Sequence, residues 1–325
     1  MNLIFTRILA FMAFMVLTAE LCMAGGPPSL KPVVKPYLTS YTQMKWDTRK
    51  DTLLFKQEKV IFGVNIKLNE HWSGRIGIDL INMNKPYFKP AVITYQKDRW
   101  TVETGIFFTS NIDIILSGFW GDRFIGRIAG DKYLLDPVAD LGARVTYRWN
   151  EWLVTDLSLV AGNGYRHLKI DNHPRPAFRF IITPCEIVKI GNYISLQKNE
   201  VTETTITSFA HLEIKNRFKI TGEYNLKTNT YFEKGKRLNT TSFYSNYFLT
   251  DWFSFMGRYD YVWSNETGSS NEAWHILQDG QALIGGFIVR CFPSVRLSAN
   301  YQNWRPASSK SEKEDWLFVC LEFRY

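Results

Sequence analysis

Apolar and polar residues alternate along most of this chain, in runs of roughly ten residues. Alternation with a period of two predicts β-strands that carry one apolar and one polar face. Counted in this way, the pattern predicts sixteen strands. Their predicted spans are 37–46, 58–68, 72–82, 90–96, 100–109, 139–149, 152–161, 176–184, 187–197, 203–215, 217–227, 240–249, 252–263, 280–290, 294–303 and 315–325.

A short motif returns between these strands: a tight polar turn closed by an aromatic residue that opens the next strand. Short turns at one end of the strands and longer loops at the other are typical of an all-β, antiparallel, up-and-down barrel. Aromatic residues at the strand ends are typical of such a barrel in a membrane. The motif stands at 69–72, 97–100, 150–152, 215–218 and 250–252, and with 183–186 and 291–293 it makes seven short links, which alternate with eight longer polar links.

The polar face of each predicted strand carries charged residues. In strand 139–149, Asp140, Arg144 and Arg148 share one face, opposite Leu141 and Val145. A Lys or Arg that faces lipid at mid-depth costs about 2–4 kcal/mol, so we expect the polar faces to line the lumen. Sixteen strands enclose more space than side chains fill, which predicts a water-filled channel. The predicted lumen wall includes Arg75, Arg144, Arg148, Arg179, Arg258 and Arg296.

The first residues have the composition of an export signal. Arg7 is followed by a continuous apolar run over 8–17 and by the small-x-small sequence Cys22-Met23-Ala24. The run is too short to cross a bilayer as a helix, and no later stretch has about 18 consecutive apolar residues. An exported chain of this kind is either soluble or crosses an outer membrane as strands. The predicted organisation is a signal peptide over 1–24, a flexible lead over 25–36 and a barrel over 37–325.

Composition narrows the candidate partners. Aromatic residues make up 15% of the chain, which suits a barrel with two interfacial girdles. The net charge of +8 favours anionic partners, namely solute anions and the phosphates of lipopolysaccharide. Nucleic acid, the usual alternative for a basic chain, is disfavoured by the export signal. Three cysteines remain beyond the signal, an odd number without metal-ligand spacing, so we expect neither a disulfide framework nor a metal site.

The longest link, residues 110–138, is the third outer loop. Long structured loops tend to be functional. In general porins the third outer loop folds into the barrel and narrows it, and the resemblance of this chain to porins implies the same here. An outward lid or a short surface helix is the alternative. The loop is not strongly basic, because four aspartates offset its three cations. The predicted constriction residues are Asp122, Arg123, Arg127 and Lys132.

Several segments carry a family resemblance. They are 74–79, 140–144 with Tyr147, 156–160 followed by Gly162-Asn163-Gly164-Tyr165, and 257–260. These segments resemble the phosphate-selective porin O/P group, most of all its Bacteroides-lineage members. The last strand, which ends on Leu321, Phe323 and Tyr325, resembles the assembly signal of bacterial outer-membrane proteins. The resemblance implies a sixteen-stranded barrel, often trimeric, that passes phosphate or other small anions. The long loop lacks the basic cluster of the phosphate-binding members.

These observations support two functional hypotheses. The first is a diffusion porin in the outer membrane of a Gram-negative bacterium, without a cofactor and with a mild preference for anions. The second is a plugged structural or adhesive barrel whose outer loops bind polysaccharide or a partner protein. An enzyme that modifies lipids is disfavoured, because His71 and Ser73 lie at a short turn, away from the outer leaflet. We therefore predict no catalytic residue.

Overall fold

A computed structural model describes residues 32–81, 86–168, 173–215, 217–268 and 271–325. Sixteen strands form one closed antiparallel barrel, as predicted. Each strand pairs with the next, and β16 pairs with β1. The strands are β1 (Val33–Asp47), β2 (Thr52–Lys67), β3 (Trp72–Asp79), β4 (Tyr87–Lys97), β5 (Trp100–Phe108), β6 (Ala139–Arg148), β7 (Leu153–Val160), β8 (Arg175–Cys185), β9 (Val188–Lys198), β10 (Thr202–Ile214), β11 (Phe218–Thr228), β12 (Arg237–Phe248), β13 (Phe253–Ser264), β14 (Gly280–Phe292), β15 (Val295–Pro306) and β16 (Glu314–Arg324).

The recurring turn motif has a simple local cause. The Asn69 side-chain oxygen accepts hydrogen bonds from the backbone N–H groups of His71 and Trp72, both at 2.8 Å. The Asn150 side-chain oxygen does the same for Trp152 and Leu153, at 3.1 and 2.8 Å. A side chain that bonds its own backbone two or three residues later fixes a tight turn. The polar residue therefore reverses the chain, and the aromatic residue begins the next strand.

Two predicted boundaries are wrong. The first strand begins at Val33, so residues 33–36 belong to the barrel and not to a flexible lead. The links β1–β2 (48–51) and β9–β10 (199–201) are short, so long and short links do not alternate strictly. The predicted spans place residues 52–57, among them Leu53, Leu54 and Phe55, in the link before strand 58–68. Instead they extend the β1–β2 hairpin, in which the Trp46 indole N–H donates to the Asp51 carboxylate at 3.0 Å.

The predicted signal peptide and the rest of the lead lie outside the described residues. Within the described part of the chain, no helix is both long and apolar enough to cross a membrane.

The two faces of the sheet differ as the alternation predicted. On β16, Leu317 and Val319 point outward and are each 43% exposed, whereas Cys320 and Glu322 point inward and are buried. On β13, Phe255 and Tyr261 point outward, opposite inward-facing residues that are buried. The outer wall thus carries a broad exposed apolar surface, and the lumen carries the charges. Inward-facing charged residues of β13 and β16 include Arg258, Asp260 and Glu322.

The link between β5 and β6 folds into the lumen, and residues 109–138 are called the inward segment below. It contains a short helix α1 (Ser110–Asp113), a π-helical stretch (Ile114–Trp120) and a second short helix α2 (Ala129–Lys132). The outward lid considered from the sequence is therefore not what the structure has. The core of this protein lies inside the barrel, between the inward segment and the lumen wall.

Candidate solute passage

The inward segment is held by apolar packing against one side of the lumen. Phe119, Trp120 and Phe124 are each at most 2% exposed. Phe119 stacks on the His211 ring with centroids 4.2 Å apart, and Trp120 lies 5.2 Å from the ring of Tyr244. Burial of this size removes several large side chains from water, so the segment is a packed element and not a loose loop.

Hydrogen bonds anchor the same segment at its start and in its middle. At its start, the Ser110 hydroxyl donates to the Asp156 carboxylate on β7 at 2.6 Å, and the Asn111 amide donates to Thr207 on β10 at 2.9 Å. Further along, the Gln43 amide on β1 donates to the Phe124 carbonyl at 2.8 Å. These contacts extend from β7 round to β1, so the segment covers that arc of the wall.

The opposite arc of the wall stays open. A cavity of about 850 Å³ lies against β1–β6, between the wall and the inward segment. Its cationic lining includes Lys35, Lys67 and Arg75, and its acidic lining includes Glu103 and Asp113. The candidate passage for a solute is therefore a crescent along β2–β6, with this cavity at the end where the short turns lie.

Four of the predicted wall arginines face the lumen but do not face the passage as free charges. Their side chains are only 1–19% exposed, because the inward segment covers them. Each forms an ion pair with a carboxylate, which cancels its formal charge locally. The pairs are Arg144–Glu103 at 2.6 Å, Arg179–Asp156 at 2.5 Å, Arg258–Asp260 at 2.8 Å and Arg296–Asp122 at 2.7 Å.

The other two predicted wall arginines are exposed. Arg75 lines the cavity, with its guanidinium 4.3 Å from the centroid of the Tyr37 ring. Arg148 lies at the short-turn end of β6. Neither forms an ion pair within the described part of the chain. Two lysines of the same wall also form no ion pair among the described residues, but Lys89 is only 8% exposed and Lys59 is partly buried. Lys59 on β2 and Lys89 on β4 lie over aromatic rings, at 5.3 Å from Tyr41 and 4.3 Å from Tyr165.

Lys59 faces the lumen beside an acid that the alternation does not predict. The β1–β2 register shifts between Tyr41 and Thr42, so Tyr41 pairs with Lys59 and Thr42 pairs with Gln57. Glu58 is the extra residue of this β-bulge, and a bulge re-aims side chains. Glu58 is 7% exposed and turns inward as well, where its carboxylate meets the inward segment.

The predicted constriction residues separate into two groups. Arg123 and Arg127 do border the crescent, and they share Glu58 at 3.4 and 3.2 Å. Asp122 does not border it: this residue is 2% exposed and accepts from the Asn246 amide at 2.8 Å, so it anchors the segment. Lys132 lies away from the crescent, 3.6 Å from Asp260 on β13. The prediction for Asp122 and Lys132 is wrong because their partners come from distant strands.

Comparisons with known proteins bear on the fold. No protein-family model matches the chain, and no curated protein matches its sequence. Among solved structures, an anion-selective porin from Comamonas acidovorans matches with a TM-score of 0.68 and 9% identity, over 91% of this chain and 100% of that one. The outer membrane channel DcaP of Acinetobacter baumannii matches with a TM-score of 0.66 and 12% identity, over 93% and 99%.

A third structure is the trimer form of OmpT, an outer membrane protein of Vibrio cholerae. It matches with a TM-score of 0.64 and 12% identity, over 91% of this chain and 100% of that one. The chain has the fold of outer-membrane porins. At these identities the likeness is one of fold alone, so the function has to be argued from the lumen.

Proposed function

We propose that this chain is an outer-membrane porin that lets small solutes diffuse through the crescent along β2–β6. The proposal rests on the asymmetry of the lumen. The inward segment fills one arc with apolar side chains, while the opposite arc keeps a cavity of about 850 Å³ lined by charged groups. A cavity lined by charges is hydrated, and a hydrated passage admits small solutes. No catalytic residue or cofactor is part of this proposal.

The location follows from the outer wall. Leu157, Phe178, Leu283 and Phe287 lie on different strands, point outward and are 38–55% exposed. In water such an apolar surface would cause the protein to aggregate, whereas in a bilayer the acyl chains of the lipids cover it. We infer that the partners of the wall are outer-membrane lipid and lipopolysaccharide, and that the host is a Gram-negative bacterium. A homotrimer is the proposed assembly, supported by the trimer form of the Vibrio cholerae structure.

A mild preference for anions follows from the charges along the crescent. Arg75, Lys35 and Lys67 line the cavity and carry positive charge without an ion pair among the described residues. Arg123 and Arg127 share the acids Glu58 and Asp131. The local balance is thus positive but includes acids, which favours small anions without selecting strongly. Phosphate specificity needs a dense cluster of free cations, and the inward segment offers only paired ones.

Planar-bilayer recording of the purified mature chain tests the proposal. We expect ohmic current steps, and a reversal potential in a KCl gradient that favours chloride over potassium. A barrel that never conducts would refute it. Liposome swelling with small sugars gives an independent measure of the same passage. Liposomes without the protein are the control.

The alternative is a plugged structural or adhesive barrel. One observation favours it: the buried cluster extends from Ile181 on β8 round to Tyr41 on β1, so most of the lumen cross-section is packed. In that case the cavity is a dead end. Liposome swelling separates the two, because a plugged barrel gives no swelling with any sugar, however small. Binding of polysaccharide to the outer links would then be the activity to measure.

A further inference from the structure

Four aromatic side chains lie at the outer end of the lumen, over the arc that the inward segment fills. Tyr231 is in the link between β11 and β12, and Trp274 is in the link between β13 and β14. Tyr133 is in the inward segment, and Trp304 lies near the outer end of β15. These four residues, called the mouth aromatics below, lie away from the crescent along β2–β6 and need an explanation of their own.

The mouth aromatics form one patch. The rings of Tyr231 and Trp274 are nearly perpendicular, with centroids 6.1 Å apart, and Tyr133 lies 6.5 Å from Trp304. Tyr133 and Trp274 both pack against one small buried cluster, which joins the two pairs. The members of this cluster are Leu135, Leu238 and Val262. Because the cluster lies on the lumen side of the wall, the patch faces the interior of the mouth and not the surrounding lipid.

Tyr231 is displayed by a strained backbone. Its φ is +60°, and Asn229 and Phe232 in the same link have φ angles of +53° and +59°. Residues other than glycine in this region cost of order 1–3 kcal/mol each, and they persist only where the surroundings fix them. Here the Tyr231 backbone N–H donates to the buried Glu203 carboxylate at 3.0 Å, while the residue remains 56% exposed. Strain of this kind clusters at ligand-binding sites, which makes the exposed ring a contact for a ligand.

Trp274 is fixed by contacts of its own. Its indole N–H donates to the Arg237 carbonyl at 3.1 Å, and the Lys236 ammonium lies 4.9 Å from its ring centroid. Rings that are held in place before a ligand arrives lose little conformational freedom when it binds. Tyr231 and Trp274 therefore form a preorganised aromatic surface.

The charged groups around the patch carry little net charge. Three lysines at this end of the barrel each meet a carboxylate. The pairs are Lys236–Glu233 at 2.7 Å, Lys132–Asp260 at 3.6 Å and Lys310–Glu272 at 3.7 Å. Exposed charges that form no ion pair among the described residues have both signs, with Lys234 and Arg237 on one link and Glu266 on the other. The surroundings thus offer hydrogen-bond donors and acceptors without a strong field.

A sugar matches this combination of groups. The face of an aromatic ring is electron-rich, and the C–H groups on one face of a hexopyranose carry partial positive charge, so a sugar ring packs flat on Tyr or Trp. The hydroxyl groups at its edge then bond to polar side chains around the ring. An acyl chain would instead need a surface that faces lipid. An ionic solute would need a net charge, which the ion pairs remove.

We propose that the mouth aromatics are a binding site for neutral oligosaccharides at the outer end of the barrel. Tyr231 and Trp274 contact the sugar rings, and Glu203 is a positioning residue that holds Tyr231 in its displayed conformation. This inference goes beyond the proposed diffusion function and does not depend on it, because a sugar binds at the mouth whether or not the crescent conducts.

Calorimetric titration of the folded barrel in detergent tests the site. The probes are four neutral hexasaccharides of different shape, namely maltohexaose, cellohexaose, laminarihexaose and mannohexaose, with hexagalacturonate as the acidic counterpart. We expect at least one neutral probe to bind, Tyr231→Ala to weaken it about fivefold, and Tyr231→Phe to keep it, since stacking needs only the ring. Tyr247→Ala is the matched control, because Tyr247 is 51% exposed on the outer wall near the short turns.

Tryptophan fluorescence gives a second measurement that does not depend on Tyr231→Ala folding. A sugar that packs on the Trp274 indole changes its emission, and Trp274→Phe, which keeps a ring against the buried cluster, should lose that change. Raising the salt concentration should leave the affinity for the neutral probe unaltered, since screening weakens only charged contacts.

The outcomes separate this site from the diffusion function. If none of the neutral hexasaccharides binds the wild type, or if only hexagalacturonate binds and salt weakens it, the proposal is wrong. Equal affinities in Tyr231→Ala and the wild type, with the emission change retained in Trp274→Phe, would place the sugar elsewhere and overturn it as well. A barrel that binds sugar but never conducts refutes the diffusion function alone.

Discussion

Glu58 and Lys59 are neighbours in the chain, and both side chains point into the lumen. The β-bulge between β1 and β2 causes this, because it places one extra residue opposite the Tyr41–Thr42 step. The two residues then act on opposite sides of the crescent. Glu58 binds the inward segment through Arg123 and Arg127, while Lys59 stays on the wall over the Tyr41 ring. One bulge thus places both an acid that anchors the segment and a lysine of the wall inside the lumen.

The first prediction concerns Glu58→Gln. Removing this carboxylate leaves Asp131 as the acid that Arg123 and Arg127 share, so the segment loses its ionic contact with β2. We expect the free energy of unfolding, measured in urea, to fall by about 2 kcal/mol. This loss is smaller than for a fully buried ion pair, because the Arg127 side chain is 43% exposed. We also expect stronger chloride preference, since one negative charge leaves the crescent.

The control for that variant is Glu233→Gln, whose 57% exposed side chain pairs with Lys236 in an outer link. An exposed pair contributes little, so this control should leave both measurements unchanged. If Glu58→Gln behaves like Glu233→Gln, the wall does not hold the segment through this residue.

A second prediction compares two positions of the inward segment. Phe119 is 2% exposed and packs on Phe209 and His211, whereas Leu134 is 65% exposed. Phe119→Ala should lower the free energy of unfolding by about 3 kcal/mol, because it leaves a cavity in a packed core. Leu134→Ala should have almost no effect. Urea unfolding of the refolded barrel in detergent measures both, and equal effects would contradict a packed segment.

A third prediction concerns Gly63 on β2, against which the Tyr37 ring lies. A Cβ at position 63 would lie 2.2 Å from the Ile76 carbonyl oxygen, a backbone atom that the sheet holds in place. Gly63→Ala should therefore reduce the yield of folded barrel, seen as loss of the heat-modifiable band on a gel. Gly285→Ala is the matched control, since no atom lies within 4 Å of a Cβ there. A normal yield of folded Gly63→Ala would mean that the backbone around position 63 shifts to accommodate the added methyl group.

A fourth prediction uses the cysteines to test orientation. Cys185 and Cys291 are exposed near short turns, whereas Cys320 is buried in the lumen. Two thiols per folded chain should react with a maleimide, and the third only after denaturation. If the short turns face the periplasm, as in bacterial barrels generally, a maleimide on a polyethylene-glycol chain too large to pass through outer-membrane channels should not label intact cells. Labelling of intact cells would mean that the barrel has the opposite orientation.

The sequence is sufficient to predict the wall of this barrel but not the state of its charges. Period-two alternation predicts all sixteen strands and assigns residues such as Arg258 and Glu322 to the lumen, because strand faces follow from local pattern alone. Whether Arg258 is free or paired depends on Asp260 beside it and on the inward segment above it. The segment reaches the wall through long-range contacts, and no local pattern encodes them.

The residues that sequence reasoning missed lie where the alternation breaks. Glu58 lies at a bulge, and Lys89 lies at a register irregularity between β3 and β4, just before the predicted start of its strand. Where two consecutive residues face the same side of the sheet, alternation along the strand no longer predicts which residues face the lumen. The apolar residues Leu53, Leu54 and Phe55 were the available signal that the second strand begins before residue 58.

The inward segment also touches the two strands that close the barrel. Tyr41 and Gln43 on β1 and Cys320 on β16 all contact it from the lumen side, and β1 and β16 pair along nine residues. The seam is therefore braced from within. Opening the finished cylinder between β1 and β16 would break these contacts as well as the strand pairing, which makes this seam an unfavourable place for it to open sideways into the lipid.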